Sequence, residues 1–206
     1  MPIVRIPAPK VSVQKLLTTL QQLTPLREGR KSWMLIRPAS VRRQHILYPH
    51  PVYQAQLQSL LAGRSFGTTL RRIAWMYFLK NTAGQLACAE ISIVGGKHRN
   101  FRLTEGPFVT NVLNAIEKSR TDRRLRRRAF QLRSIRMESL HSFVLWFKAT
   151  GSREYWVPVT QVGSARIVGQ WLSRKEFVEL LVSQARRVAD AQKRATQLAA
   201  HDQHIY

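Results

Sequence analysis

The pattern that most restricts the fold of this chain is an alternating run of side chains, broken by turn residues, between positions 72 and 94. Residues 72–80 are mostly β-branched, aromatic or large, and residues 81–84 read Asn-Thr-Ala-Gly, which is turn chemistry. Residues 85–94 then carry apolar side chains at every second position, the period of a strand with one buried face. The alternating residues are Ala87, Ala89, Ile91 and Ile93. A β-hairpin is therefore predicted, with these four side chains in the core.

The hairpin is followed by a further strand and a helix, and the same order returns later in the chain. Gly95 and Gly96 permit a second reversal, residues 98–103 can form a strand, and Thr104 can cap a helix beginning near Pro107. In the later region strands are predicted at 130–137, 142–148, 155–160 and 166–172, the third with Tyr155, Val157 and Val159 towards the core. A helix should follow Ser173, which forms a capping box with Glu176.

The N-terminal region is predicted element by element. Leucines at 16, 17, 20 and 23 recur at helical spacing before Pro25, so residues from about 12 to 24 should form an amphipathic helix. Residues 33–37 are predicted as a short strand. Three prolines between 37 and 51 indicate a loop, and Pro51 suits the first turn of a helix over residues 51–62.

Together these elements predict an α+β fold, a tandem duplication of an antiparallel four-stranded sheet plus helix, with an N-terminal helix and one inserted helix. The predicted divisions are an N-terminal helical extension (1–31), a first sheet–helix unit (32–118), a basic linker (119–128) and a second unit with a long C-terminal helix (129–206). A shift of 68 positions pairs Lys80 with Lys148 and Gly95 with Gly163. Any two hairpin–helix units would share turn glycines and apolar alternation, so convergent patterning is the alternative to duplication.

Two such units in tandem resemble the Whirly, Pur-alpha and positive-cofactor-type single-strand-binding proteins in element order over residues from about 32 to 200. The run Trp171-Leu172-Ser173-Arg-Lys-Glu176-Phe177 is similar to their strand-to-helix junction with its acidic–Phe pair, whereas residues 104–108 lack the acidic residue before Phe. The resemblance implies paired antiparallel sheets that present basic and aromatic residues, with the terminal helices packed together. A different α+β fold, such as two winged-helix-like domains, is the alternative.

The charge of the chain indicates its class of partner. There are 34 Lys plus Arg against 11 Asp plus Glu, a formal charge of +23, and the resulting self-repulsion favours a polyanionic partner. DNA or RNA is the predicted partner, although acidic protein assemblies and anionic lipid surfaces offer the same complementarity. A hydrophobic content of 44% excludes a wholly disordered basic tail.

Cysteine usage and apolar runs bear on the compartment. Cys88 is the single cysteine of the sequence, which excludes a disulfide framework within one chain. No run approaches the roughly 20 apolar residues of a membrane-spanning helix, and the N-terminus lacks the apolar core of a secretory signal. We therefore expect a cytoplasmic or nucleoid-associated protein without a membrane span.

The foremost predicted nucleic-acid contact is a basic segment with seven cations in the eleven positions 118–128. Arginine predominates over lysine there, which favours bidentate phosphate contacts. A solvated linker between the two units is the alternative. The predicted binding cations are Arg120, Arg123, Arg124, Arg126, Arg127 and Arg128 in the segment, Arg133 and Arg136 in the strand after it, and Lys97, Arg99 and Arg102 in the strand after the first hairpin.

Strand parity predicts a second contact surface. If the alternating aliphatic residues face the core, the opposite parity is an open face that places aromatic rings beside ammonium groups, as stacking with bases requires. That face would carry Phe78, Lys80, Trp146, Lys148 and Trp156. The alternative is that the aromatic residues are themselves core and that the two faces are inverted.

The sequence offers no constellation for catalysis. Its acidic residues are scattered, and no phosphate-cradling glycine loop, Ser-His-Asp or Cys-His arrangement, cofactor motif or metal-ligand set is recognisable. The leading hypothesis is a non-enzymatic protein that binds single-stranded DNA or RNA with low sequence specificity through phosphate contacts and stacking. Two alternatives are a structural subunit of a ribonucleoprotein or acidic protein assembly, and a duplex-DNA-binding replication or mobilisation factor. Self-association through the C-terminal helix is a further expectation.

Overall fold

The structure is a computed structural model that describes residues 3–4, 6–23, 45–81, 83–126, 128–160 and 167–202. Its helices are α1 (Lys10–Leu23), α2 (Leu57–Leu61), α3 (Pro107–Thr121), α4 (Arg123–Arg126) and α5 (Arg174–Asp202). Its strands are β1 (Ile3–Val4), β2 (Ile46–Ala55), β3 (Leu70–Lys80), β4 (Leu86–Val94), β5 (Lys97–Thr104), β6 (Phe130–Met137), β7 (Ser142–Ala149) and β8 (Glu154–Pro158). Short 3₁₀ turns occupy Phe66–Thr69 and Glu138–Leu140. The predicted α+β class is confirmed, as are the N-terminal, inserted and C-terminal helices.

The described strands form one sheet in the order β5-β4-β3-β2-β6-β7-β8, and β1 also pairs with β6. Strands β2 to β5 are an antiparallel meander, and β6 to β8 are a second one. The two meanders meet where β2 lies parallel to β6, over the three pairs from Val52–Ser134 to Gln54–Arg136. The two predicted units therefore share one continuous sheet.

Both faces of this sheet are covered by helices. On the face that we call the α3 face, α3 packs on side chains from both meanders, among them Phe78, Cys88, Leu132 and Leu145. On the opposite face, α1 packs on β3 and β4, and α5 packs on β6 to β8. We call this second face the α5 face. The predicted core positions Ala87, Ala89 and Ile91 are buried under α1, and Ile93 packs against the same cluster.

The segment before the first hairpin was predicted wrongly in part. Residues 46–55 form strand β2 where the prolines indicated a loop and then a helix, and the helix predicted over 51–62 is limited to α2. The strand accommodates Pro49 and Pro51 because a register shift lies between Leu47 and His50, and because pairing with β6 begins only at Val52. Prolines are tolerated in a sheet at such bulges and unpaired edges. The strand predicted at 33–37 lies outside the described residues.

Other boundaries follow the sequence more closely. Strand β6 has the predicted limits, and α1 begins two residues before the predicted start. The predicted fourth strand of the second unit is represented by a single bridge between Leu172 and Trp156, and residues 161–166 lie outside the described part. The predicted basic linker 119–128 includes the end of α3 and the short helix α4, whose Leu125 is buried.

Helix α5 begins with the predicted capping box. The Ser173 backbone N–H donates to Glu176 Oε2 (2.7 Å), and the Glu176 backbone N–H donates to Ser173 Oγ (3.3 Å). Hydrogen bonding of the Glu176 carboxylate to the Ser173 side chain and to the Ser173 backbone N–H lowers the pKa of this carboxyl. Phe177, Leu181 and Ala185 are buried, whereas every side chain from 191 to 197 is exposed.

Within the described residues, none of the helices combines the length and apolar character needed to cross a membrane.

Candidate nucleic-acid interface

Two predicted cations and a predicted aromatic residue meet on the α5 face of β6 and β7. Arg133 and Trp146 are direct partners in the antiparallel ladder, and Lys148 lies two residues further along β7. The Arg133 guanidinium carbon is 4.8 Å from the centre of the Trp146 ring, and Lys148 Nζ is 5.4 Å from it. Cations at such distances are attracted by the ring quadrupole, so the indole holds both positive groups in place. We call Arg133, Trp146 and Lys148 the cation–indole cluster.

The Trp146 ring is the end of an aromatic column. It stacks on Trp156 with ring centres 4.7 Å apart, and Trp156 stacks on Phe177 of α5 at 4.6 Å. Phe66 closes the side of the column by edge contacts with Trp156 and Phe177. Since Trp156 occupies one face of the Trp146 ring, the Arg133 guanidinium covers the other.

The prediction of an open aromatic face is therefore wrong. Phe78 and Trp156 are fully buried, and Trp146 is 5% exposed. The error has a physical cause, because helices cover both sides of the sheet and neither strand parity is left open. Phe78 lies on the α3 face, and the two tryptophans lie beneath α5 on the opposite face. Direct stacking of a base on these rings is excluded in this arrangement. Arg133 and Lys148, the cations beside Trp146, can still contact phosphate.

The cation–indole cluster lines a pocket of about 240 Å³. Arg174, the first residue of α5, adds a third cation, and Glu154 is the acidic residue among the lining side chains. Glu154 is engaged on both oxygens, since it pairs with Arg174 Nε at 3.5 Å and accepts from Trp146 Nε1 at 2.9 Å. Arg133 Nε is buried and has no partner among the described residues. The pocket thus has a net positive lining and an unused buried donor, a combination suited to an anion.

Residues outside β6, β7 and β8 also border this pocket. Gly67 lies against Arg174, and a Cβ on Gly67 would come within 3.6 Å of the nearest guanidinium nitrogen. Tyr53 of β2 contacts the edge of the Trp146 ring at 5.5 Å and lies 5.8 Å from the Arg133 guanidinium. The pocket therefore receives residues from both meanders, at the place where β2 and β6 join them.

The basic segment at the end of α3 forms a second positive surface. Arg120 donates to Glu117 and to the Tyr48 hydroxyl, each at 3.0 Å, and Arg124 pairs with Asp122 at 3.1 Å. Hydrogen bonding to Glu117 raises the pKa of Arg120. The paired side chains of Arg120 and Glu117 are 45% and 48% exposed, and such surface pairs contribute only about 0–1 kcal/mol. The Arg120 guanidinium therefore remains available to a polyanion.

The other cations of this segment are exposed or lie outside the description. Lys118, Arg123 and Arg128 are exposed, and within the described ranges none of the three forms an ion pair. Arg124 also lies over the Trp171 ring, 5.6 Å from its centre. The side chain of Arg126 and the whole of Arg127 fall outside the described residues.

The remaining predicted residues do not join either surface. Lys80, at the end of β3, and Lys97, Arg99 and Arg102, all on β5, are exposed. Arg136 points to the α3 face, where it pairs with Glu90. Tyr53 and Arg174 also line the pocket, and neither was predicted as a binding residue. Arg174 follows Ser173 of the capping box, so the sequence predicts its position at the start of a helix. The sequence does not predict that this helix start lies beside Lys148 of β7.

Comparison with family models, with curated proteins and with solved structures finds nothing that matches this chain. The similarity in element order to single-strand-binding families stays a prediction. Among the described residues, no group of three or more His, Cys, Asp or Glu side chains is placed to hold a metal ion.

Proposed function

We propose that this chain binds nucleic acid, single-stranded DNA or RNA in first place, through phosphate contacts that depend little on base sequence. The observation that carries the proposal is the convergence of Arg133, Lys148 and Arg174 on one pocket in a chain of formal charge +23. Fixed cations of this kind release counterions when they meet phosphate, and this release drives binding. In this proposal aromatic residues hold the cations and do not stack with bases.

The electrostatics support a polyanion over a single small anion. The described residues contain four ion pairs, each of which uses one arginine and one carboxylate. Three of these pairs lie in the pocket and in the basic segment at the end of α3. Among the described residues, this still leaves Arg133 and Lys148 in the pocket, and Lys118, Arg123 and Arg128 in the segment, without an acidic partner. Each charge-assisted hydrogen bond to a phosphate contributes about 1.5–3 kcal/mol, so a few contacts give useful affinity only when several phosphates are linked.

Salt dependence tests this mechanism. A labelled oligothymidylate is titrated with the protein by fluorescence anisotropy at several potassium chloride concentrations. Log affinity should fall with log salt by about 0.7 for each neutralised phosphate. Lys148→Gln should reduce this slope by about 0.7, and Lys148→Gln combined with Arg133→Gln should reduce it further.

Lys10→Gln is the matched control, since Lys10 is an exposed lysine on the first residue of α1 and does not line the pocket. It removes the same charge and should leave the slope unchanged. Equal losses in the Lys10 and Lys148 variants would assign binding to net charge alone and would refute the pocket. A slope near zero for the unmodified protein would reject phosphate neutralisation altogether.

A structural role in a larger assembly is the second candidate function, and the exposed half of α5 favours it. Side chains 191–197 project without buried contacts, and Arg186, Arg187, Lys193 and Arg194 carry positive charge along this half. Most helical stability in proteins comes from packing, and side chains 191–197 have none within the described residues, so a partner would stabilise this part of α5. Copurification of the full chain with a stoichiometric acidic protein, and without nucleic acid, would support this role; copurification with nucleic acid alone would refute it.

A further inference from the structure

The pocket lined by the cation–indole cluster is small and bordered by elements of both meanders and of α5. Its borders outside β6, β7 and β8 are Tyr53, Phe66, Gly67, Leu70 and Arg174. Its volume of about 240 Å³ lies below the range of about 300–1,000 Å³ that is usual for small-molecule sites. Trp146 offers no free ring face in it, because Arg133 and Trp156 cover the two sides of the indole. A small charged group therefore suits this pocket better than a nucleobase.

The charges of the lining select the class of anion. Among the described residues of the lining, the three cations Arg133, Lys148 and Arg174 face the single carboxylate of Glu154, which leaves two positive charges. A phosphomonoester carries about −1.5 to −2 charges at pH 7 and has three free oxygens. A phosphate within a strand carries one negative charge, and two of its oxygens are in ester bonds. The lining therefore matches a phosphomonoester more closely than an internal phosphodiester.

The three cations reach the pocket from three different elements and are held in place before a ligand binds. Arg133 on β6 donates through Nη2 to Gln131 Oε1 at 2.9 Å, and its buried Nε has no partner among the described residues. Lys148 on β7 is held by the indole, and Arg174 at the start of α5 is held by Glu154 through Nε at 3.5 Å. Groups held in this way lose little freedom on binding, and each can donate to a different oxygen of a terminal phosphate.

We propose that this pocket binds the terminal phosphomonoester of a DNA or RNA strand, an inference that names the ligand of the function proposed above and rests on it. A strand continues on both sides of an internal phosphate, which therefore needs two ways out of the pocket, whereas a terminal phosphate needs one. An internal phosphate can still contact the mouth of the pocket, where the Arg174 side chain is 56% exposed, but with fewer free oxygens. The charge of +23 favours a polyanionic strand over a phosphorylated protein as the source of the phosphomonoester.

Two strands of equal formal charge separate the effect of the end phosphate from that of net charge. Above the second ionisation, near pH 6, a hexathymidylate with a 5′-phosphate carries the same formal charge as an octathymidylate with hydroxyl groups at both ends. Isothermal titration calorimetry at pH 7.5 and low salt measures the affinity of both unlabelled strands. The phosphorylated strand should bind about tenfold more tightly, as one additional charge-assisted hydrogen bond predicts. A hexathymidylate with a 3′-phosphate, titrated in the same way, identifies which end of the strand is bound.

Two pocket variants and one control assign the preference to this site. Lys148→Gln should remove most of the tenfold preference, and the control Lys10→Gln, which removes the same charge outside the pocket, should keep it. Gly67→Leu keeps every charge and should abolish the preference by filling the pocket. Gly67 does not have a left-handed φ, and the atom nearest to a Cβ there is Arg174 Nη2 at 3.6 Å, so the larger side chain can be accommodated. Far-ultraviolet circular dichroism checks that each variant is folded.

The outcomes separate this inference from the proposed function. If the two strands bind equally and with the expected salt slope, the end pocket is overturned and the phosphate proposal stands. A preference that survives both Lys148→Gln and Gly67→Leu also overturns the pocket, since the end is then bound elsewhere, and a preference lost equally in Lys10→Gln reduces it to net charge. A phosphoserine peptide that binds more tightly than the phosphorylated strand would overturn the strand end in favour of a phosphorylated protein. If neither strand binds, both proposals fail.

Discussion

The buried imidazole of His50 should make the stability of this protein fall in mildly acidic solution. His50 is fully buried in β2, stacked on Phe78 with ring centres 6.1 Å apart. Its Nδ1 lies 2.7 Å from the Tyr48 carbonyl oxygen. Because a carbonyl only accepts, Nδ1 carries the hydrogen, and Nε2 is the bare nitrogen, without a partner among the described residues. Protonation would place a second N–H where no acceptor is available.

The size of the effect follows from the pKa of His50. Burial lowers it from the ordinary 6.5 to about 4, against the smaller opposing effect of the Tyr48 hydrogen bond. The unfolded chain therefore takes up a proton near pH 6.5 while the folded chain does not. The stability is fully present above pH 6.5 and is lost as the pH falls towards 4. At about 1.4 kcal/mol per pH unit, the free energy of unfolding should decrease by roughly 3 kcal/mol over this interval.

Urea unfolding at pH values between 7.5 and 4 measures this loss, and with a slope of about 2 kcal/mol per molar urea the midpoint should move by about 1.5 M. His50→Asn keeps a donor near the Nδ1 position and cannot titrate, so its midpoint should vary much less over this interval. His141→Asn is the control, since His141 is exposed and has a left-handed φ of 47° that asparagine tolerates. If His50→Asn shows the same pH dependence as the unmodified protein, the imidazole is not the cause and the reasoning is refuted.

Two further predictions concern the packing of α5. Ser173→Ala should destabilise the protein by about 1 kcal/mol through loss of the helix cap. The control Ser183→Ala, at an exposed position within α5, should not destabilise it, and chemical unfolding measures the free energy of unfolding of both variants. Phe66→Ala should cost about 3–5 kcal/mol, because Phe66 is 5% exposed and closes the aromatic column, and the near-ultraviolet circular dichroism of the tryptophans should weaken. The control Leu61→Ala, at a side chain 37% exposed, should change stability by less than about 0.5 kcal/mol, and equal costs would contradict the packing argument.

The local sequence pattern was sufficient to predict most helices and strands. It was insufficient to predict which face of the sheet is exposed. Strands β4 and β6 and helix α3 have apolar periods and turn residues that do not depend on distant contacts, and they lie where the sequence predicts them. Strand β7 is different, because consecutive residues from Phe143 to Phe147 are all buried. When helices cover both sides of a strand, alternation carries no information about which side is open, so the aromatic face could not be assigned.

The pocket and the Glu90–Arg136 ion pair depend on contacts that sequence does not encode locally. Strand β2 was not predicted because its prolines indicated a loop. The position of Tyr53 beside Arg133 therefore could not be predicted either. Glu90 and Arg136 are 46 residues apart and lie on strands that β2 and β3 separate, so their ion pair depends on the strand order of the sheet. Arg133 and Lys148 were predicted separately, one among the binding cations and the other on the aromatic face, and the β6–β7 ladder places them on one surface.

The parallel seam between β2 and β6 has a consequence for how the chain reaches this structure. It joins residues such as Val52 and Ser134, which are 82 positions apart, whereas the hairpins within each meander close over short turns. Closing a long loop costs entropy before its contacts repay it, so the hairpins should form early and the seam late. The pocket lined by the cation–indole cluster, which takes Tyr53 from one side of the seam and Arg133 from the other, is then among the last parts of the molecule to assemble.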